Sequence, residues 1–285
     1  MSETADQEDD EQQGSPHLDE DEQDQALAHS TPRALVIHEI IRDEGEQELE
    51  RTNTALALSG LAGGLSMGFS FLALALLRAS MPATPWRDDI ASFGYSVGFI
   101  IVVLGRQQLF TENTLTPVLA LIHNRNSKTL VRLLRLWGIV LAANAAGAIA
   151  FAFALAHDGA FAPDAMHAFA EIGHQTIRAG FGTTFVRAVY AGWLIALMVW
   201  LLPAAEGARP LTIILITYIV ALCGLSHVIA GSVDCAYIVA TGEATVRDFV
   251  VRFFAPTLLG NIVGGVTLVA ALNYGQVAPE IEGPP

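Results

Sequence analysis

Residues 90–122 have the sequence IASFGYSVGFIIVVLGRQQLFTENTLTPVLALI, in which the polar run 106–113 separates two apolar stretches. A helix needs about 20 mostly apolar residues to cross a bilayer, and neither stretch is long enough alone. Together they predict one membrane helix that is broken near mid-membrane. Irregular backbone is tolerated at that depth only where it is buried in protein or lines a cavity, so this stretch predicts a membrane protein whose broken helix does one or the other.

A second stretch, residues 210–240, has the same pattern in PLTIILITYIVALCGLSHVIAGSVDCAYIVA. Its apolar course is interrupted at 224–232, and a short apolar piece follows. Four more stretches are long enough to span a bilayer, and they are 54–77, 136–156, 181–202 and 253–273. The breaks therefore fall in the second and fifth of six transmembrane helices. This order predicts an all-α membrane protein built as an inverted repeat of three plus three helices, with a transport site between the halves.

The composition supports a membrane protein and argues against a nucleic-acid-binding one. Hydrophobic residues make up 52% of the chain and charged residues 15%, with a mean hydropathy of +0.45. Soluble domains carry about 25% charged residues. Of the 29 acidic residues, 17 lie in the first 50 positions, which leaves 12 acidic and 13 basic residues from Arg51 onward. The net charge of −14 thus belongs to the N-terminal tail, and the chain lacks the basic face of a nucleic-acid-binding protein.

The uneven charge divides the chain into four regions. Residues 1–33 are rich in Asp, Glu and Gln and predict a disordered acidic tail, and residues 34–53 predict an amphipathic helix on the membrane surface. Residues 54–275 are the predicted six-span transporter domain, and 276–285 are a short C-terminal tail. Basic residues gather in the predicted loop after the second span, whereas 136–177 contain no Lys or Arg. By the positive-inside rule, this asymmetry predicts that both termini are cytoplasmic.

His227 is the first candidate for a functional residue, because it lies in the second break. Ionisable side chains inside membrane spans are costly and usually functional. Free histidine has a pKa of about 6.5, so this side chain is suited to exchange a proton with a passing weak acid. The alternative is a neutral histidine that is hydrogen-bonded within the helix bundle.

The first break offers a second group of candidates. Leu109 and Phe110 could form an apolar constriction, and the Thr111 hydroxyl could donate to an anion or a water; the alternative is a buried kink capped by its own threonine. Three arrangements remain open for Arg106, beside Gln108 and Glu112. In the first, Arg106 pairs with Glu112, which lowers the cost of burying both charges. In the second, it faces the pore and attracts anions. In the third, it reaches toward the membrane interface by snorkelling.

The sequence lacks the patterns of an intramembrane enzyme. It contains no Ser–His pair in a Gly-rich context, no His-Glu-x-x-His motif and no pair of catalytic aspartates. The two cysteines have neither disulfide nor metal spacing. We therefore expect neither an enzyme nor a cofactor or metal site.

Four features together resemble the formate–nitrite transporter family, over roughly residues 50–275. The first is the run 109–111 after a short half of the second span. The second is 224–230, GLSHVIA, which is similar to the family's Gly-x-x-His motif in the fifth span. The third is 260–265, GNIVGG, in the last span, and the fourth is the order of spans with breaks in the second and fifth.

The resemblance implies an aquaporin-like fold in a bacterial inner membrane, assembled as a homopentamer with one pore per protomer. It implies that the partners are small monovalent anions or their acids, such as formate, nitrite or hydrosulfide, together with the lipid bilayer. His227 would be the central pore histidine, Thr111 the threonine of the broken second helix, and Leu109 and Phe110 the pore constrictions. Further pore residues implied are Tyr95 and Phe99 in the second span, Ile195 in the fourth, Val220 in the fifth and Asn261 in the last.

The chain departs from the family pattern near the histidine. Arg106 stands where a small residue, often Gly, is usual, and Gln108 stands where Glu is usual. The remaining departures are Ser226 for an acidic or polar residue, Gly231 for Asn, and Gly192 for the pore-facing Asn of span four. These replacements make the predicted site roomier and add a positive charge, which would suit a larger or different anion.

A path of this kind has a physical logic. A bare anion loses its hydration in an apolar throat, while half-helix N-termini near Thr111 and Gly231 attract it. Protonation by the histidine, or by way of water, would let the solute cross as a neutral acid.

Two alternative functions stay open. One is an aquaporin-like conduit for neutral solutes, although the breaks lack paired Asn-Pro-Ala repeats. The other is a non-conducting sensor or scaffold with the same fold.

Overall fold

A computed structural model of the chain describes residues 17, 19, 21, 22, 30–157 and 159–282. Residues Ala34–Pro285 form one compact unit. The predicted disordered tail, 1–33, lies almost entirely outside the described residues.

All regular structure in the described ranges is helical. The α-helices are α1 (Ala34–Glu50), α2 (Asn53–Ser80), α3 (Arg87–Ala91), α4 (Ser96–Leu104), α5 (Thr116–Asn124), α6 (Ser127–His157), α7 (Pro163–Ile177), α8 (Phe181–Ala205), α9 (Arg209–Leu222), α10 (Ala230–Ala240), α11 (Val246–Asp248), α12 (Ala255–Val263) and α13 (Ala271–Glu282). Short 3₁₀ turns cover Ser92–Tyr95, Glu112–Thr114 and Glu206–Ala208, and π-helical turns cover Phe249–Phe254 and Gly264–Ala270.

Within the described residues, four helical runs are long and apolar enough to cross a membrane. They are Asn53–Ser80, Ser127–His157, Phe181–Leu222 and Val246–Ile281. The predicted second span is absent from this set because it is in two pieces, α4 and α5, of nine residues each. A count of six crossings, two of them broken, is compatible with this architecture.

The two breaks have the same backbone structure, 118 residues apart. In the first, the N–H groups of Gly105 and Gln107 donate to the carbonyls of Ile101 and Val102. In the second, the N–H groups of Cys223 and Leu225 donate to the carbonyls of Ile219 and Val220 in the same pattern. The residue between the two donors has a positive φ in both breaks, 49° at Arg106 and 59° at Gly224. The breaks are therefore equivalent positions in two repeats.

The helices that flank the breaks also pack in equivalent ways. A Cβ on Gly64 of α2 would collide with the carbonyl of Asn144 in α6, and a Cβ on Gly192 of α8 would collide with the carbonyl of Asn261 in α12. These glycines let the backbones approach closely, which is how membrane helices gain packing energy without a hydrophobic effect. The pair α2 with α6 thus corresponds to the pair α8 with α12.

The basic residues after the first break differ from the sequence expectation, which placed them in a loop. Helix α6 begins at Ser127, nine residues before the predicted span, so Arg132 and Arg135 are helical. Arg135 donates to the carbonyls of Leu49 and Arg51 between α1 and α2. This contact, together with the absence of Pro and Gly from residues 127–137, explains why the helix extends beyond the apolar segment.

Helix α1 packs directly on the start of α5. A Cβ on Gly45 would collide with the carbonyl of Thr116, and Ile41 and Leu49 are buried beneath the helix. The same packing turns the acidic residues Glu44 and Glu48 toward the first break. Helix α13 includes 276–282, so helical structure continues past the predicted end of the transporter domain at 275.

Candidate functional site

Thr111 and His227 meet where the two breaks face each other. Thr111 Oγ1 lies 2.7 Å from His227 Nε2, and both residues are buried. The N–H of Ala230 donates to His227 Nδ1 at 3.2 Å. Because a backbone N–H can only donate, Nδ1 acts as an acceptor and the ring proton is assigned to Nε2. The histidine is then neutral and donates to the Thr111 hydroxyl, whose own proton is left to donate elsewhere.

Asn144 of α6 holds the first break in place. Its Oδ1 accepts from the Phe110 N–H at 2.9 Å, and its Nδ2 donates to the carbonyls of Gly60 and Gln108 at 2.6 and 2.8 Å. The side chain is fully buried. It therefore satisfies the backbone groups on either side of Leu109 at a depth where water cannot do so.

Asn261 of α12 holds the second break in the same manner. Its Oδ1 accepts from the Val228 N–H at 2.9 Å, and its Nδ2 donates to the carbonyls of Ala188 and Ser226 at 2.8 and 2.9 Å. The residue enclosed by this clamp is His227, and its counterpart in the first break is Leu109. Asn261 was among the sequence candidates, whereas Asn144 was not. The shared signal is an asparagine in an otherwise apolar span.

One cavity, of about 260 Å³, opens beside His227 and is bounded by helix α7. We call it the α7 cavity. Its charged and polar lining consists of Arg78, Asp88, Ser92, Tyr95, Gln175, Thr176, Arg187, Ser226, His227 and Asp234. Arg78 is held by Asp88 at 3.1 Å, and Thr176 donates to Asp234 at 3.0 Å.

A second cavity, of about 280 Å³, lies at the first break under helix α1, and we call it the α1 cavity. Its charged and polar lining consists of Glu44, Glu48, Arg106, Gln107, Gln108, Glu112, Asn113, Thr116 and Arg209. Arg106 pairs with Glu44 of α1 at 3.2 Å, and Gln108 donates to Glu48 at 2.6 Å. Three arrangements were left open for Arg106. In the structure, its side chain lies at an exposed wall of the α1 cavity and pairs with Glu44 of α1 rather than with Glu112.

The two cavities are equivalent in the repeat. The α1 cavity contains Val103, Arg106, Gln107, Gln108, Asn113 and Thr116, and the α7 cavity contains the residues 118 positions later, Ala221, Gly224, Leu225, Ser226, Gly231 and Asp234. Each half of the molecule thus contributes one cavity through its own break. The Thr111–His227 pair lies where the two breaks meet.

Apolar side chains surround this pair. The Phe99 ring meets the His227 ring edge-on with centroids 5.0 Å apart, and Phe110 packs against Trp137. Some sequence candidates are fully or almost fully buried and line neither cavity, and they are Phe99, Leu109, Phe110, Thr111, Gly192, Ile195, Val220 and Asn261. The candidates that line a cavity are Tyr95, Ser226, His227 and Gly231 on one side and Arg106 and Gln108 on the other.

Residues 35–275 match the family described as Formate/nitrite transporter. The chain belongs to this family. Its sequence is 41% identical over 245 residues to the inner membrane protein YfdC of Escherichia coli (strain K12), covering 86% of this chain and 79% of that protein. It is 26% identical over 239 residues to the formate channel BtFdhC of Bacillus thuringiensis, covering 82% of this chain and 91% of that one.

Two solved formate/nitrite transporter structures share the fold. A pentameric formate channel with formate bound has a TM-score of 0.68 at 19% identity, covering 79% of this chain and 98% of that chain. An FNT family ion channel has a TM-score of 0.70 at 16% identity, covering 85% of this chain and 96% of that chain. The family match confirms the predicted family, and the two solved structures confirm the predicted helical membrane fold.

Proposed function

We propose that the chain is a channel for small monovalent anions or their conjugate weak acids, with a path in each protomer that runs through the Thr111–His227 pair. The observation that carries the proposal is the position of this pair, at the meeting point of two equivalent breaks. The relatives named as formate channels support the solute class. The pentameric neighbour supports assembly as a homopentamer, and the name of YfdC supports the inner membrane.

The orientation follows from the basic residues. Arg125, Arg132 and Arg135 lie beside α1 and the start of α6, on the side of the α1 cavity. By the positive-inside rule, the α1 cavity opens to the cytoplasm and the α7 cavity to the outside. Both termini are then cytoplasmic.

The apolar region between the cavities determines which form of the solute crosses. An anion that leaves a cavity loses its hydration among Phe99, Leu109 and Phe110, and the desolvation of a charge is far more costly than that of a neutral acid. Protonation before this region therefore lowers the barrier. The solute approaches as an anion and crosses as the acid.

The hydrogen bonds of His227 favour water as the proton source. Loss of the Nε2 proton from a neutral ring would leave an imidazolate, which is a very strong base. A second ring proton would have to enter at Nδ1, where the Ala230 N–H already donates. The His227 Nε2–H thus orients the Thr111 hydroxyl, which donates its own proton to hold the solute oxygen, while water in the cavity delivers the proton to the solute.

Uptake into liposomes that contain the purified protein tests this proposal. We expect formate, nitrite, acetate or lactate to enter faster than into empty liposomes, and faster at pH 5.5 than at pH 7.5 because more of the solute is protonated. Glycerol or water flux without anion flux would identify a neutral-solute conduit instead. No flux from well-folded oligomers would indicate a sensor or scaffold.

A further inference from the structure

Arg187 of α8 lines the α7 cavity. Its side chain forms no hydrogen bond or ion pair with any residue that the structure describes. The other arginine in this wall, Arg78, is held by Asp88 at 3.1 Å, Glu171 at 3.4 Å and Gln175 at 3.2 Å. A guanidinium has five N–H donors and no acceptor. Arg187 therefore presents a full set of free donors to the cavity that contains His227.

The repeat shows what stands at the equivalent position in the other half. Asn144 donates to the carbonyl of Gly60, and Asn261 donates to the carbonyl of Ala188. Gly60 and Ala188 therefore correspond, and so do the residues directly before them, Ser59 and Arg187. The Ser59 hydroxyl accepts from the N–H of Gln108 at 3.0 Å. Gln108 corresponds to Ser226 in the second break. Arg187 thus replaces an acceptor with a side chain that can only donate.

Ser226 is left with unused donors as a result. Its carbonyl accepts from Asn261, but its N–H and its hydroxyl make no hydrogen bond within the described part of the chain. The cavity carboxylates do not supply the missing acceptor: the contacts of Asp88 are with Arg78 and Arg87, the side-chain contact of Asp234 is with Thr176, and neither acid contacts Arg187 or Ser226 within the described residues. The wall beside His227 therefore combines a free guanidinium with a free hydroxyl and a free backbone N–H. An acceptor from solution would satisfy all three.

We propose that Arg187 and Ser226 form a binding subsite for a small carboxylate in the α7 cavity, next to His227. Guanidinium binds a planar carboxylate through two parallel hydrogen bonds, which a monatomic anion such as chloride cannot accept. The cavity volume of about 260 Å³ is far above the roughly 10–15 Å³ that one water requires, so carboxylates larger than formate fit. The inference deepens the proposed function, because the subsite would load the path with its solute.

The test compares Arg187→Gln, Arg187→Lys and Arg178→Gln in oriented liposomes, with formate or lactate added on the α7 side. Arg178 follows α7, does not line either cavity and carries the same charge, so its replacement is the matched control. Loss of a charge-assisted pair of hydrogen bonds is expected to raise the half-saturating carboxylate concentration about tenfold or more in Arg187→Gln. Arg187→Lys should fall between this variant and the natural protein, and Arg178→Gln should match the natural protein. An unchanged value in Arg187→Gln would overturn the proposal.

A binding measurement separates this inference from the proposed function. In detergent, carboxylate should raise the Tm of the natural oligomer and of Arg178→Gln, but not that of Arg187→Gln, while chloride at equal ionic strength should raise none of them. If the natural protein shows this shift without any flux, the subsite stands and the channel function fails. If flux occurs with no carboxylate-dependent shift that Arg187→Gln removes, the channel function stands and the subsite fails.

Discussion

Arg106 and Gly224 occupy equivalent positions in the two breaks. Their backbones have the same conformation, but one carries a charged side chain and the other has no side chain. Both have a positive φ, of 49° and 59°. A residue with a Cβ pays roughly 1–2 kcal/mol in this left-handed region, and glycine does not. The chain thus tolerates strain at Arg106, whose side chain pairs with Glu44 of α1, and avoids it at Gly224.

Replacing Gly224 by Ala should lower the stability of the oligomer by about 1 kcal/mol, because a Cβ there has open space but an unfavourable φ. Gly138→Ala is the matched control. It also has open space, its φ is not positive, and it lies inside helix α6, where Ala is favoured over Gly. Thermal unfolding in detergent should show a lower Tm for Gly224→Ala and an equal or higher Tm for Gly138→Ala. Equal losses in both would refute the backbone explanation.

The residues at this scale were predicted unevenly from sequence. His227 and Thr111 could be placed in the two breaks, because ionisable and polar side chains interrupt apolar runs. Their contact could be inferred only through the family resemblance, since they are 116 residues apart. Arg187 lies near the start of the predicted span 181–202, where nothing in the sequence distinguishes it, and its free guanidinium emerges only once the surrounding acids are seen to have other partners.

At the scale of elements, the two asparagine clamps explain why broken helices are stable inside a membrane. Each clamp connects a flanking helix, a break and a third helix through one side chain. Both breaks could be located from sequence within a few residues, since the pattern of apolar and polar residues is local. The clamp by Asn144 could not be predicted, because which carbonyls remain unpaired in a break depends on its three-dimensional course.

Replacing Asn144 by Ala leaves the Phe110 N–H and two carbonyls without partners, and should destabilise the protein by roughly 2–4 kcal/mol. Asn261→Ala should cost about the same, because its three contacts are equivalent. Asn124→Ala, at the exposed end of α5, is the control and should change stability little. Denaturant titration of the purified oligomers measures all three. A large loss for one clamp and none for the other would contradict the equivalence of the repeats.

Helix α1 contains a buried histidine that should make its docking sensitive to pH. His38 is fully buried between the rings of Trp200 and Tyr274, and neither ring nitrogen has a hydrogen-bond partner among the described residues. Burial lowers the pKa of His38, against a smaller opposing effect of Glu39 at 3.8 Å. The positive charge of Arg42 and the neighbouring His123 also lower it.

The sign of the pH effect follows from this lowered pKa. Below about pH 6.5, the pKa of an unfolded histidine, the unfolded chain binds a proton that the folded chain does not. Stability is therefore complete above this pH and falls as the pH drops toward the folded pKa. We expect a lower Tm at pH 5.5 than at pH 7.5, and a smaller difference in His38→Phe. The control His157→Phe, at an exposed position, should keep the full difference in Tm. The assignment of the pH effect to His38 would be refuted if the control lost the difference or if His38→Phe kept it.

At the scale of the whole molecule, the repeat produces two equivalent cavities whose side chains differ. The α1 cavity receives Glu44 and Glu48 from α1, whereas the residues 128 positions later in the equivalent helix α7, Ile172 and Thr176, carry no charge. The α7 cavity has Arg187 and His227 instead. The apolar pattern predicted the repeat, because each broken helix is visible in a single stretch of sequence. The asymmetry could not be predicted, since it depends on which side chains of α1 and α7 face the two breaks.

The asymmetry gives the proposed path a direction in electrostatic terms. Free donors face the solute in the α7 cavity. In the α1 cavity, Arg106 is paired with Glu44 at 3.2 Å and Arg209 donates to the carbonyl of Leu202 at 3.2 Å. An anion would thus be held more strongly on the α7 side, by Arg187 and Ser226. The Thr111–His227 pair lies beyond them at the junction of the halves, and it is the feature on which the account depends.

The most direct test is the rate of formate entry into liposomes at pH 5.5 for the natural protein, His227→Ala, Thr111→Val and His167→Ala. His167 is exposed on α7 and serves as the matched histidine control. We predict at least a tenfold loss of flux in His227→Ala and in Thr111→Val, with His167→Ala unchanged, because the first two changes each remove a hydrogen-bonding side chain from the path. Full flux in both His227→Ala and Thr111→Val oligomers would contradict a path through this pair.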